Sequence, residues 1–242
     1  MTLPLGDLRF LVLDTLGREI CNGTIPPGAT FTTESIEERF RVSRPVVREA
    51  LRALQALGLL AAKRRVGVSV LPLASWNVYD IHVIRWRLAG PSREAQLRSL
   101  TELRGAIEPA AAQLAAQRAT ANEAGDLVGL SARLYAAGKS GDAEEFLHLD
   151  IQFHRRILEL SGNEMLAKLQ PLVEEVLLGR SQYDLQPQFP ALVALQFHVD
   201  VAMAIQTGDA AKAARSVVAI ADRALDEMRR IWEQELDEIT RS

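Results

Sequence analysis

One stretch, Arg41 to Leu60 (RVSRPVVREALRALQALGLL), limits the folds open to this chain more than any other. Ser43 is placed as an N-cap whose hydroxyl accepts from a first-turn N–H, and Pro45 sits where a missing N–H costs little. Val47, Ala50, Leu51, Leu54 and Leu57 follow at three- and four-residue spacing, which puts them on one helix face. Arg44, Arg48 and Arg52 recur every fourth residue beside that face. The spacing therefore predicts a helix with a core side and a cationic side. Gly58 closes it where positive φ is wanted, and Leu59-Leu60 opens an extended run.

The flanking segments complete a small domain. Leu8, Leu11, Val12 and Leu16 have the spacing of an amphipathic helix, which GTIPPG (Gly23 to Gly28) breaks into a loop. Thr33 is read as the cap of a short helix reaching about Arg39, with Ile36 and Phe40 turned inward, so two helices meet across a tight turn. Leu59 to Arg64 and Val66 to Leu71 are β-prone runs joined at Arg64-Arg65, a hairpin after the second helix. The pattern is a winged helix-turn-helix over residues 1–72.

The charge distribution says what such a domain meets. The net charge of −3 divides into +3 for residues 1–72 and −6 for the remainder. Within 39–65, Arg39, Arg41, Arg44, Arg48, Arg52, Lys63, Arg64 and Arg65 oppose only Glu49, and cations drawn from a helix and a hairpin together point to a polyanion. In the major groove an arginine fork reaches guanine O6 and N7, which suits Arg44 and Arg48. Arg52, Lys63, Arg64 and Arg65 suit phosphates, and Glu49 suits an internal pair with a neighbouring arginine.

VSRPVVREALRALQALGLL with its basic, glycine-containing hairpin resembles the N-terminal domain of the GntR family of bacterial transcription regulators over roughly residues 8–72. The resemblance implies DNA contact by Arg44 and Arg48, with Ser43 and Pro45 at the helix tip and Gly67 in the wing. It departs at Glu34, where many members have an arginine that touches DNA.

Pro72 closes this domain, residues 73–77 read as a linker, and 78–242 as a second domain. From there on every apolar stripe has helical spacing, over roughly 77–89, 92–119, 122–138, 143–161, 163–179, 190–207 and 209–237. Asp142 with Glu145 makes a capping-box-like start, and Thr207-Gly208-Asp209 a helix-to-helix turn. Pro109 and Pro171 are expected to kink or divide their helices. The fold class is mostly α, a winged helix-turn-helix followed by an all-α antiparallel bundle. LTELRGAIEPAAAQLAA, LDIQFHRRILELSGN and FHVDVAMAIQTGDAAKAA resemble the FadR-like branch, whose all-helical ligand-binding (FCD) domain often holds a metal. SWNVYDIHVIRWRL is similar to the sugar-acid regulators of that branch, those answering to galactonate.

Asp150 and His154 are four apart on one helix, and an oxygen-nitrogen pair suits zinc, nickel, manganese or iron. Spacing alone fits a hydrogen-bonded surface pair better, and His198 alone fits a satisfied buried histidine. The resemblance implies the opposite, because Asp150, His154 and His198 each fall on a metal-ligand position. The fourth family ligand, a histidine, falls on Ile220; Asp222 is one helix face away, and His82 and His148 do not match. Two readings stand: a divalent metal on three protein ligands completed by water or by an effector, or a vacant site that binds a polyol directly. Arg104 and Glu108 are one turn apart; the resemblance assigns that arginine to the effector pocket as a carboxylate clamp, and spacing allows a surface pair. Gln182, Tyr183 and Asp184 are further effector candidates, while Trp76 and Trp86 are expected to pack the domain junction.

Forty-eight per cent hydrophobic and 24% charged residues fit an ordinary globular protein. The apolar runs are too short to span a bilayer, the N-terminus lacks a secretory pattern, and the single Cys21 excludes an intrachain disulfide, so the cytoplasm is the expected compartment. These observations lead to a dimeric, ligand-responsive repressor, not an enzyme, released from a palindromic operator by a small carboxylate such as a sugar acid. The alternatives are a metal-dependent hydrolase with a DNA-binding appendage and a constitutive DNA-binding dimer with a vestigial pocket.

Overall fold

The computed structural model describes residues 5–185, 187 and 190–241, with side chains of 7–233 in the helices and strands. The chain separates into two compact units, residues 1–96 and 97–242.

In the first unit, α1 (Leu5–Cys21), α2 (Thr33–Phe40) and α3 (Arg44–Ala56) surround a core of Val12, Leu16, Ile20, Val47, Ala50 and Leu54. The apolar side of α3 buries as its spacing requires, with Val46 added and Leu57 half-buried. Leu11 differs from expectation: it is 45% exposed, because the buried stripe of α1 runs through Val12, Leu16 and Ile20 and leaves its neighbour uncovered. The cap of α2 is Thr32 rather than Thr33, its hydroxyl accepting from the Ser35 N–H at 3.1 Å. Arg41 turns the chain in the left-handed region (φ 53°), and Ser43 caps α3 by position without a side-chain hydrogen bond.

The wing is β2 (Leu60–Lys63) and β3 (Gly67–Val70), antiparallel with Lys63 opposite Gly67. A third strand, β1 (Thr30–Phe31), joins the other edge of β3, so the sheet order is β1-β3-β2. Two residues carry no readable alternation, which is why the sequence showed only a loop there. Gly67 has φ 113°, and a Cβ on it would lie 2.4 Å from the Phe31 carbonyl oxygen, so only glycine lets β1 approach.

Residues 73–77 are not a free tether. They pass over Gly58, with Asn77 N–H donating to the Leu57 carbonyl at 2.8 Å and Trp76 Nε1 donating to the Leu71 carbonyl at 2.9 Å. The following α4 (Ile81–Leu88) packs on α1: Trp86 is buried, donates from Nε1 to Asp14 Oδ1 at 2.8 Å, and lies flat where a Gly17 Cβ would be. The first unit therefore runs on to residue 96, later than the boundary read from sequence, and both tryptophans pack inside it.

Every described regular element of the second unit is a helix: α5 (Arg93–Arg118, which begins in the first unit), α6 (Ala121–Ser140), α7 (Ala143–Leu160), α8 (Glu164–Ala167), α9 (Gln170–Gln182), α10 (Leu192–Gln206) and α11 (Ala210–Arg241). α10 lies between α6 and α11, and α7 between α6 and α9, over a core that includes Leu127, Leu134, Phe153, Ile157, Leu195 and Val217. Thr120 and Glu123 form a full capping box at the start of α6, whereas Asp142 caps α7 by accepting from the Glu145 N–H at 3.1 Å. Pro171 divides its segment into α8 and α9, and Pro109 stays inside a continuous α5. No described helix is long and apolar enough to cross a membrane.

Candidate functional site

The cationic surface of the first unit is as exposed as a polyanion contact requires. Ser43, Arg44, Pro45, Arg48 and Arg52 lie on the open side of α3, and Lys63, Arg64, Arg65 and Gly67 on the hairpin. Val66 N–H donates to the Lys63 carbonyl at 3.0 Å and Arg65 takes φ 63°, a tight turn that thrusts three cations outward. Arg44 Nη2 lies 3.0 Å from Glu34 Oε1, and Arg52 Nη1 donates to Glu49 at 2.8 Å, so Glu49 pairs internally as expected. Arg39 leaves the patch: its guanidinium is engaged by Glu19 of α1.

The second unit gathers its polar groups inside. Asp150 and His154, one turn apart on α7, meet His198 of α10; all three are buried, and their ligand atoms lie within 4.8 Å of one another. Asp150 Oδ1 is 3.4 Å from His154 Nε2 and 3.2 Å from His198 Nε2. The far nitrogen of each ring also meets protein, and only that of His198 makes a hydrogen bond there. His198 Nδ1 donates to the Ala194 carbonyl at 2.9 Å, and His154 Nδ1 lies 3.0 Å from Glu108 Oε2. Donation from Nδ1 leaves His198 Nε2 as a lone pair aimed at Asp150, the arrangement that outer hydrogen bonds impose on metal-ligating imidazoles, whereas His154 Nε2 faces both Asp150 and the Arg104 guanidinium.

Asp150 Oδ1 and His198 Nε2 have no hydrogen-bond partner although both atoms are buried, so a lone pair and a carboxylate oxygen converge without a proton between them. A divalent cation satisfies both, and with His154 beside them the donor set is one that such an ion takes. Burial would raise the Asp150 carboxyl, but His154 and His198 hold it well below the usual range. At His154 burial favours the neutral ring, as does Arg104, and the carboxylates of Glu108 and Asp150 outweigh both to raise its pKa.

Arg104 and Glu108, both on α5, stand behind this group. Arg104 is 2% exposed and Glu108 1%; Nε donates to Oε1 at 3.0 Å, Nη2 to Oε2 at 3.4 Å, and Nη2 also to His154 Nε2 at 3.1 Å. Burial works against the Glu108 charge, yet Arg104 and His154 hold its carboxyl down at about 2. Thus the pair is not a surface salt bridge, and most of the fork of Arg104 is already committed.

A cavity of about 50 Å³ opens beside the triad. Ile220 borders it, so the position read as the missing fourth ligand does face the site; Asp222 is exposed on another side of α11, and His82 and His148 are exposed elsewhere. The described lining does not include Gln182, Tyr183 or Asp184. α9 ends at Gln182, Asp184 takes φ 53°, and Gln182 and Asp184 turn to solvent while Leu185 turns inward. Sequence reading missed Arg180 of α9 and Arg223 and Glu227 of α11, which border the cavity. Counting three and seven residues on from Ile220 along one helix face would have found the latter two.

Residues 11–70 match the gntR family of bacterial regulatory proteins, and residues 99–237 match the FCD domain. The galactonate operon transcriptional repressor of Escherichia coli K12 is 31% identical over 224 residues, 90% of this chain and 96% of that protein. The regulator LutR of Bacillus subtilis is 32% identical over 163 residues, 66% of this chain and 70% of that protein. Among solved structures, McbR/YncC of E. coli shares the fold at a TM-score of 0.52 and 19% identity, covering 96% of this chain and all of that one.

Proposed function

The chain belongs to the gntR family of bacterial regulatory proteins, with an FCD domain following the helix-turn-helix, and on that premise we propose that it represses a sugar-acid operon. It is a ligand-responsive DNA-binding transcription regulator. In this reading a small hydroxy-carboxylate, galactonate being the one suggested by the E. coli relative, enters the helical unit and releases the operator. Ser43, Arg44, Pro45 and Arg48 enter the major groove, each good arginine-guanine pair contributing roughly 1–3 kcal/mol of discrimination. Arg52, Lys63, Arg64 and Arg65 take phosphates, with Gly67 keeping the wing backbone close; these contacts supply affinity and salt dependence. Arg44 exchanges Glu34 for DNA, so Glu34 competes with the operator for that guanidinium instead of adding a contact. Two copies of the chain set the spacing of two half-sites.

The observation that carries the effector side is the convergence of Asp150, His154 and His198 on one cavity. A zinc, nickel, manganese or iron ion held there supplies a Lewis acid for a carboxylate or hydroxyl oxygen. The Ala194 carbonyl fixes His198, the Glu108 carboxylate stands 3.0 Å from His154 Nδ1, and Ile220 keeps the fourth side apolar and open to ligand. The hydrolase alternative gains nothing from this geometry, since Glu108 and Glu227 are both held by arginines rather than placed as a base. The buried, unpartnered Asp150 Oδ1 and His198 Nε2 support an occupied pocket over a vestigial one.

Selection of bound duplexes from a random pool, followed by gel-shift titration of the selected site with aldonates and uronates, tests the proposal. Release by one of them is expected. A selected palindrome whose binding no small carboxylate changes would overturn it.

A further inference from the structure

The same cavity has a second polar end. Arg180, 8% exposed, places Nη2 3.1 Å from Glu227 Oε2, and Arg223 places Nε 2.9 Å from Glu227 Oε1. One carboxylate thus serves two guanidiniums. Even so, Arg180 Nε has no acceptor, and the Arg223 Nε–H is close to Glu227 but misdirected, so both are unsatisfied donors at buried atoms. Native interiors rarely leave charged donors in that state. Among the residues lining the cavity, Arg104, Arg180 and Arg223 oppose Asp150 and Glu227. Arg104 is matched by Glu108 behind it, whereas Arg180 and Arg223 share the single carboxylate of Glu227. The surplus positive charge therefore sits at Arg180 and Arg223.

We propose that Arg180 and Arg223, bridged by Glu227, are the anion subsite of this cavity and receive the carboxylate of the effector, the place sequence reading gave to Arg104. This rests on the reading of the second unit as an effector domain and names the chemistry of its ligand: a hydroxy-carboxylate lying with its acid group toward α9 and α11 and its hydroxyls toward Asp150, His154 and His198. Arg104 is a positioning residue that holds Glu108 and meets His154 Nε2 directly. At about 50 Å³ the space takes roughly four waters, the volume of a carboxylate with its neighbouring hydroxyl. Glu227 acts as a stand-in anion that limits affinity, since an incoming carboxylate competes with it for the same donors.

The test is calorimetric titration of the full chain, at fixed metal content, with galactonate and with its neutral amide. The parent is expected to favour the acid, and Arg223→Gln to reduce that preference about tenfold, the loss of one charge-assisted pair. Arg180→Lys, which keeps the charge but loses the fork, is expected to weaken the acid alone. Glu227→Gln is expected to tighten it. Unchanged acid preference in both arginine variants would overturn the proposal. If the parent binds neither compound, the galactonate assignment falls instead. The subsite is then decided by acetate at constant ionic strength: a rise in melting temperature in the parent but not in Arg223→Gln sustains it, and an equal response overturns it.

Discussion

Replacing Glu108 with Gln would leave the Arg104 guanidinium charged and 2% exposed with no counter-charge. Two routes give the size of the effect. Holding the Glu108 carboxyl at about 2 instead of 4.5 corresponds to roughly 3 kcal/mol at about 1.4 kcal/mol per unit. Breaking a buried pair from one side costs about 3–5 kcal/mol in general. For a unit the size of residues 97–242, where about 1 kcal/mol moves Tm by ~3 °C, the expected fall is about 10 °C. The sign with pH follows from the depressed pKa. The contribution is complete above about pH 4.5 and is lost as pH falls toward 2, so parent and variant converge in acid. Calorimetric melting of both proteins between pH 7 and pH 3 measures this. Removing both charges, as Arg104→Met with Glu108→Leu, is expected to recover most of the loss, because apolar packing replaces a buried pair at little cost. A Glu108→Gln protein within about 1 kcal/mol of the parent at pH 7 would refute the reasoning.

In a gel-shift series against single-base operator variants, Arg44→Ala and Arg48→Ala should each lose roughly 1–3 kcal/mol of discrimination at one position. Lys63→Ala should weaken all duplexes alike and lower the salt slope by about 1. Gly17→Ala puts a Cβ 2.4 Å from the Trp86 ring, and overpacking of that kind should cost the first unit about 1–3 kcal/mol in urea unfolding. Ile220→His supplies a donor at the open side of the triad, and the variant should retain metal against a chelator concentration that strips the parent.

How much of this was readable depended on whether the signal was periodic. The core side of α3 and the cations of its other side follow helix spacing, and the structure keeps nearly every one where the spacing put it. β1 could not be read, since two residues cannot show alternation. The extent of the first unit was hidden because it depends on Trp86 meeting Gly17, sixty-nine residues earlier in the chain, a contact no local pattern encodes. At the site, Asp150, His154 and His198 were legible only through family resemblance, and the structure brings them together. Arg104 and Glu108 were visible as a pair, but their burial was not, and burial is what commits the guanidinium. Gln182, Tyr183 and Asp184 were candidates for lying in the break between two helices; Pro187 and Pro190 of that break border the cavity, and which residue of a break does so has no periodic signal. Arg180, Arg223 and Glu227 look in sequence like ordinary charged positions on two helices.

Coupling between the two units is the central claim, and binding linkage tests it most directly. Calorimetry of galactonate with the full chain, alone and saturated with its selected operator, should give two affinities. Reciprocity requires their ratio to equal the factor by which galactonate weakens operator binding. The expected result is an acid that binds at least tenfold more weakly to the operator-bound protein, about 1.4 kcal/mol of coupling. Equal affinities with and without operator would contradict the account.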